Sequence, residues 1–544
     1  MSTVSREMTV GLRELLPAQL PAYLQRQRWF GGKARSIQSC NVSDIVPMHM
    51  NQIDALLLIV SVNYLDGGEE QYAMPLIATE QEPFTKDGSA GLLRIGSQTN
   101  GVDLVLGDAL RNEQFLSTFL ESILRRKSYS GEPGELQSAV TSEISRLNPL
   151  SAKDLKPKVL TGEQSNSSVV YGDRLILKFF RRLEEGTNPE VEIGRFLTET
   201  AHYPHTPALI AWQEYRPAEN KPVTLAVLQS FIPNQGDAWR FTLKQVGLFY
   251  DAAKRFSGEA SRSNANQFTS DHKEPPEFAR EALETYLNLA GLLGRRTAEL
   301  HRALASGTGD PAFAPEPFTD EFQRQMQESR TKLTRDTLRL LRDKASSLPA
   351  EWREKALEVA EREAEISRHF ESILRRPLDG RRIRIHGDYH LGQVLYTGSD
   401  FVIIDFEGEP ARPLAERRSK QSPLQDVAGM LRSFHYAAFA PLSGDTNQNL
   451  NLAEAAAGME EWAQAWYSWV ATRFLSEYFL VSRNADYLPS DQSQMERLLQ
   501  MFVLEKAIYE LGYELNNRPA WVGIPLEGIL RTLNNSNSIS FFRR

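Results

Sequence analysis

Apolar and polar positions along this chain follow two rhythms, and the switches between them divide it into units. Residues from about 8 to 30 carry apolar side chains at helical spacing and end in Arg28-Trp29-Phe30-Gly31-Gly32-Lys33, where paired glycines permit a tight reversal. The pattern then predicts strands over 54–65 and 70–77, and helices over 108–124 and 134–145. A second unit begins near Lys156. Residues 159–171 read as a strand, a turn of small polar residues and a returning strand, and a further strand covers 174–180. The apolar run 223–228 enters Gln229-Ser230-Phe231-Ile232-Pro233, which reads as a hinge. From Asp237 the chain is predominantly helical. Residues 292–304 are amphipathic, and the charged stretch 320–374 is divided by Ser346-Ser347-Leu348-Pro349, where proline suits a new helix start. Its apolar positions are too irregular for heptads, so a packed helical pair is expected rather than a coiled-coil arm.

Composition narrows the classes. With 544 residues, 41% of them hydrophobic, the chain can bury substantial cores, and two to four structural units are expected. The net charge of -8, without a long basic tract, gives no nucleic-acid footprint and favours a small diffusible substrate. Cys40 is the only cysteine, which excludes an intramolecular disulfide and a cysteine-based zinc site. The first residues lack the organisation of a secretory signal, and the apolar run 55–60 is too short to span a bilayer, so a soluble cytoplasmic protein with no membrane partner is expected.

Candidate chemistry gathers in His386-Gly387-Asp388-Tyr389-His390-Leu391-Gly392-Gln393, followed by the apolar run Phe401-Val402-Ile403-Ile404 that delivers Asp405-Phe406-Glu407. Phosphoryl transfer to a hydroxyl needs a carboxylate to orient the nucleophile and accept its proton, together with oxygen ligands that hold Mg²⁺ against nucleotide phosphates. Asp388 fits the first role, and Gln393 with Asp405 the second. Each piece alone is commonplace in turns and strand ends; it is their order and spacing that point to a phosphotransferase.

Two other regions fit around this centre. The turn containing Gly162, Ser165, Ser167 and Ser168 can set backbone N–H groups and hydroxyls against phosphates, although with one glycine it also reads as an ordinary hairpin turn. Lys178 lies among apolar neighbours in its strand and needs an anion; Glu192 is the preferred partner and Glu190 the competitor. Such a pair would leave the lysine oriented toward phosphates. Backbone groups around Gln229 and Phe231 suit an adenine edge. Near the end of the chain, Lys506, Tyr509, Glu510, Tyr513 and Glu514 share a helix face, either for stacking on and hydrogen-bonding a sugar or as a solvated face with charge pairs.

Together these residues resemble the maltokinases, bacterial enzymes with an aminoglycoside-phosphotransferase-like kinase fold. The resemblance runs over essentially the whole chain, through the Arg28 to Lys33 marker, Gly162 to Ser168, Leu293 to His301, His386 to Gln393, Asp405 to Glu409, Arg417 to Phe434 and Glu505 to Pro519. It implies an α+β, bilobal protein-kinase-like fold, with an N-terminal cap at 1–130, a β-rich N-lobe at 131–228, and a hinge and helical C-lobe at 229–544. The activity implied is ATP-dependent phosphorylation of maltose at its anomeric hydroxyl, feeding α-glucan synthesis, with Mg²⁺ or Mn²⁺ as the ion. Mapped residue by residue, Asp388 is the base, Gln393 and Asp405 are the metal ligands, Lys178 is the phosphate lysine, and Asp426 and His386 brace the loop. His390 stays open between loop packing and substrate contact, and Arg418 and Lys420 between sugar or anion contacts and solvent-facing charges. A similar kinase-like segment occurs fused to trehalose synthase, so the resemblance implies a free-standing form that associates with trehalose synthase in another chain. The alternatives are a kinase for another sugar or an aminoglycoside, and a non-catalytic kinase-like partner of trehalose synthase; a scaffold, however, has no chemical requirement for Asp388, Gln393, Asp405 and Lys178 together.

Overall fold

The computed structural model describes residues 3–50, 53–79, 93–95, 104–147, 155–160, 165–219, 221–259, 275–374, 376–442 and 459–534. The chain parts into two units, Met1–Pro233 and Asn234–Arg544.

In the first unit, strands Ile37–Met50, Ile53–Tyr64, Glu69–Thr79, Leu104–Asp108 and Leu93–Ile95 lie side by side in that order, all antiparallel, with Arg182–Leu183 added beside Glu69–Thr79. One face is covered by the helix Thr3–Arg26, whose Leu12, Leu16, Leu20 and Leu24 recur every fourth residue and pack with Val42, Leu58, Val60 and Tyr72. Trp29 and Phe30 close this core against Tyr72, with ring centroids 6.0 and 5.2 Å away. The opposite face buries Val46, Leu57 and Ile59 with Phe115 and Phe119 of helix Glu113–Leu124. Asn112 caps that helix by accepting the Phe115 N–H.

The same core continues into a seven-stranded antiparallel sheet through Leu177, Phe179 and Leu225. Its order is Tyr129–Ser130, Glu135–Val140, Leu209–Arg216, Val223–Ser230, Leu175–Phe180, Asn166–Tyr171 and Pro157–Val159. Here the helix expected over 134–145 is corrected. Residues Glu135–Val140 are a strand paired along its length with Leu209–Arg216, followed by a short 3-10 helix at Ser142–Leu147. Tertiary pairing with Leu209–Arg216, itself unforeseen, overrides the helical spacing of so short a segment. Helix Pro189–Glu199 follows, with proline at its first turn and Asn188 accepting the Glu190 N–H.

The long strand Ile37–Met50 also escaped prediction, because its apolar alternation breaks at Asp44, where the register shifts against Ile53–Tyr64. Asp44 is fully buried. One carboxylate oxygen accepts the N–H groups of Ile45 and Glu132, at 2.7 and 2.9 Å; the other accepts the Gly134 N–H and the Tyr215 hydroxyl, both at 2.7 Å. The bulge thereby ties one sheet to the turn and tyrosine of the other.

The second unit is helical around helices Glu277–Leu304, Leu424–Phe439, Met459–Val481 and Gln492–Asn517, with helix Ala238–Glu259 packed beside them. The expected break in the charged stretch falls between helices Asp320–Lys344 and Ala350–Glu361, and Pro349 is the residue just before the second. A short hairpin, Val394–Tyr396 with Phe401–Ile403, and a two-stranded pairing of Glu316–Pro317 with the distant Arg381–Arg382 complete it. Among the described residues, no helix is long and apolar enough to cross a membrane.

Asp44→Asn tests the junction in the first unit. The amide can no longer accept donors on both of its heavy atoms, which leaves buried N–H or O–H groups unsatisfied at about 1–3 kcal/mol each. The melting temperature should fall by several degrees, and an unaltered value would show that the bulge is not where this unit is held.

Candidate active site

The loop from His386 to Gln393 is positioned by a buried carboxylate. Asp426, at the start of helix Leu424–Phe439, accepts the backbone N–H of His386 at 2.8 Å on one oxygen and that of Gly387 at 2.9 Å on the other. His301 Nε2 approaches the first oxygen at 3.1 Å, and His301 Nδ1 meets the Tyr478 hydroxyl at 2.9 Å. His386 in turn donates from Nε2 to the Ile404 carbonyl at 2.9 Å and accepts the Asp388 N–H on Nδ1. Its ring packs between Tyr389 and Phe406. Two glycines make the approach possible. Gly387 has a φ of 84°, and a Cβ on Gly429 would stand 2.6 Å from the Tyr389 carbonyl oxygen, closer than atoms allow.

The same loop is sewn to the strand that delivers Asp405. The Gln393 carbonyl accepts the Ile404 N–H at 3.0 Å, and Val394 pairs with Ile403, so Gln393 and Asp405 emerge side by side. Asp405 has a φ of 67°, in the left-handed region that few side chains adopt, and strain of this kind is held where surrounding structure imposes it. The donor set is one amide and one carboxylate oxygen, hard ligands that fit Mg²⁺ or Mn²⁺. Among the described residues no cluster of three or more His, Cys, Asp or Glu side chains gathers for a metal, so nucleotide phosphates and waters would complete such a site.

Asp388 faces a pocket lined on its other side by helix Gln492–Asn517, which contributes Phe502, Glu505, Lys506 and Tyr509; Glu409 and Arg412 complete the rim. Lys506 Nζ lies 3.6 Å from Asp388 Oδ1 and 3.4 Å from Glu409 Oε2, and the Tyr509 hydroxyl donates to Glu409 Oε1 at 2.8 Å. His390 accepts the Gly392 N–H on Nδ1, which leaves Nε2 as the nitrogen facing Asp388, at 3.7 Å. Burial alone would raise the Asp388 carboxyl, but His390 and the Lys506 charge outweigh it and hold the group well below the usual carboxylate range. Burial would lower the Lys506 ammonium, yet Asp388 and Glu409 hold it above its ordinary value.

The other expected residues are placed as follows. Gly162 lies outside the described residues. In the first unit, Ser168 is buried and lies opposite Lys178 in the sheet, Ser167 accepts from Arg181 Nε at 2.9 Å, and Ser165 is exposed. Lys178 is half-buried, 5.6 Å from the Phe180 ring centroid. Glu190 is fully buried and accepts from the Gln229 side chain at 2.7 Å, whereas Glu192 is half-buried on the same helix. The Phe231 N–H donates to the Arg174 carbonyl, so an adenine edge would have to be met there by other groups.

In the second unit, four of the expected residues lie away from the pocket wall. Lys420 is buried and donates to the Pro311 carbonyl and to Glu316, both at 2.7 Å. Arg418 is exposed. Glu510 pairs at 2.7 Å with Arg432, which is buried, and Tyr513 is 48% exposed with the Arg518 guanidinium 5.5 Å from its ring centroid. The reading of 386–405 missed Glu409, Arg412 and Phe502 as pocket residues. Glu409 follows Asp405 by four positions, and Phe502 precedes Lys506 by four on one helix face, which is the signal that spacing offered.

A kinase-like fold defines a class, and the family comparison agrees with it. Residues 157–466 match the phosphotransferase enzyme family known as APH, and the chain belongs to that family. Residues 23–111 match the maltokinase N-terminal cap domain. Two relatives are named glucosamine kinase. One, from Streptacidiphilus jiangxiensis, is 24% identical over 67% of this chain and 70% of its own. The other, from Mycolicibacterium smegmatis (strain ATCC 700084 / mc(2)155), is 25% identical over 70% of this chain and 80% of its own. A solved structure titled glucosamine kinase (crystal form B) aligns with a TM-score of 0.62 at 17% identity, covering 96% of this chain and 99% of that one. Another, titled as a complex with glucosamine, ADP and inorganic phosphate, gives 0.58 at 17% identity over 90% and 93%. At these identities the structures speak for the fold.

The depressed Asp388 carboxyl makes a linkage prediction. Ionised Asp388 contributes stability that is present above the unfolded carboxylate value of about 4 and is lost as pH falls toward the lower folded value. Denaturant titrations of wild type and Asp388→Asn should show the wild type losing more stability than the variant between pH 7 and pH 3. Equal losses would mean that nothing in the folded pocket favours the anion.

Proposed function

We propose that this protein phosphorylates a sugar with ATP, and that its acceptor is the anomeric hydroxyl of maltose. The observation that carries the reading is the Asp388 carboxylate lining a pocket together with Lys506, 3.6 Å away, and Tyr509. The cap-domain match favours maltose within the sugars. The relatives' names favour glucosamine as the second reading.

In the proposed reaction the acceptor hydroxyl donates a hydrogen bond to Asp388, which aligns a lone pair for in-line attack. The new bond joins the sugar oxygen to the γ-phosphorus; the bond to the β-phosphate oxygen breaks and leaves ADP, and the hydroxyl proton passes to Asp388. Asp388 orients the hydroxyl and takes its proton late, as suits a loose transition state. Gln393 and Asp405 would hold Mg²⁺, whose charge neutralises the phosphates when bound. Lys178 is proposed as the phosphate lysine, with Glu192 orienting it and the exposed Ser165 near the phosphates; Ser168, buried in its strand, and Ser167, bonded to Arg181, are set aside as phosphate contacts.

Purified protein with ATP and Mg²⁺ should give its largest kcat/KM with maltose among maltose, trehalose, glucose, glucosamine and an aminoglycoside, with NMR locating the phosphate on the anomeric oxygen. Asp388→Asn should remain folded and lose about 10²–10⁴ in kcat. Preferred phosphorylation of an aminoglycoside, or wild-type kcat in that variant, would reject the assignment.

A further inference from the structure

The carboxylates around the pocket already have cationic or N–H partners supplied by the chain. Asp388 faces Lys506 and His390, and Glu409 holds Lys506 together with the Tyr509 hydroxyl. Glu505 pairs with Arg330 at 2.6 Å and stands 3.9 Å from Arg412, while Asp426 is occupied by His301 and two backbone N–H groups. Lys506 is thus the ammonium that bridges the reactive carboxylate and its neighbour on the rim.

A neutral hydroxyl entering beside Asp388 can donate to the carboxylate and accept from Lys506 at once, so both protein groups stay satisfied. On glucosamine the ammonium sits on the carbon next to the anomeric one, so it enters close to the same groups, and it can only donate. It would have to displace Lys506 from Asp388 or Glu409, or stand close to a like charge in a partly dehydrated site. We infer that Lys506 is a specificity-determining residue that makes this pocket select neutral sugars over amino sugars. The inference rests on the reading that the pocket beside Asp388 receives a sugar hydroxyl, and it goes beyond that reading by naming the charge the sugar must carry.

Glucose and glucosamine form the matched test pair, because they differ only in a hydroxyl replaced by an amine. At pH 6, below ordinary amine pKa values, the amine is protonated. kcat/KM is measured for both with wild type, Lys506→Arg and Lys506→Gln; for a sugar that is not turned over, its Ki against the best acceptor of the panel is used. Wild type should favour glucose by about tenfold or more, given the cost of a like-charge contact. Lys506→Arg should keep that preference, and Lys506→Gln should narrow or reverse it. Glu409→Gln, which leaves Lys506 less compensated, should widen it, and this keeps the test alive if Lys506→Gln does not fold. A wild type that favours glucosamine, a folded Lys506→Gln with an unaltered ratio, or a narrowed ratio in Glu409→Gln overturns the inference. Failure of maltose in the panel, with the glucose preference intact, removes the maltose assignment and leaves the role of Lys506 standing.

Discussion

The candidate centre depends on one buried carboxylate. Asp426 accepts two successive backbone N–H groups from His386 and Gly387 and faces a buried histidine, so it fixes the direction in which the chain enters the catalytic loop. A buried acceptor with several donors is strongly favoured over an unpaired one, and the loop has little freedom to move while those bonds hold. From that fixed entry, His386 reaches across to the Ile404 carbonyl, Gln393 accepts the Ile404 N–H, and Asp388, Gln393 and Asp405 become parts of one connected piece. Gly429 lets the supporting helix come near enough for this to happen.

The other wall is set by a different means. Helix Gln492–Asn517 presents Phe502, Lys506 and Tyr509 on one face, and its partners fix which face that is: Glu505 is held by Arg330, and Glu510 by Arg432. These pairs orient the helix, and they leave Lys506 at the pocket between two carboxylates. The electrostatics of the site follow from that arrangement, since His390 and Lys506 together favour the Asp388 anion against its burial.

Much of this was legible in the sequence where chemistry demands particular residue types at close spacing. The loop from His386 to Gln393 and the strand ending at Asp405 belong to this kind, and the break at Ser346 to Pro349 was readable because proline restricts backbone geometry. What depends on distant pairing was not. The strands Ile37–Met50 and Glu135–Val140 were obscured, the first by a buried aspartate three of whose four donors lie 88 or more residues away, the second by a partner more than seventy residues on. Glu510 reads as a sugar contact by helical spacing, yet Arg432 claims it from 78 positions away. Lys420 is in the same position with Glu316. Spacing identifies which residues share a face; it does not say which distant charge meets them.

The most direct test of the account is the turnover of Asp426→Asn, a variant that keeps shape while removing the charge and one acceptor beneath the loop. If this carboxylate aims the base, kcat should fall by about 10²-fold, the scale of a misplacement of roughly 1 Å in a catalytic group, while the KM values for ATP and sugar change little. A folded Asp426→Asn with wild-type kcat would contradict the claim that the site is built on this interaction.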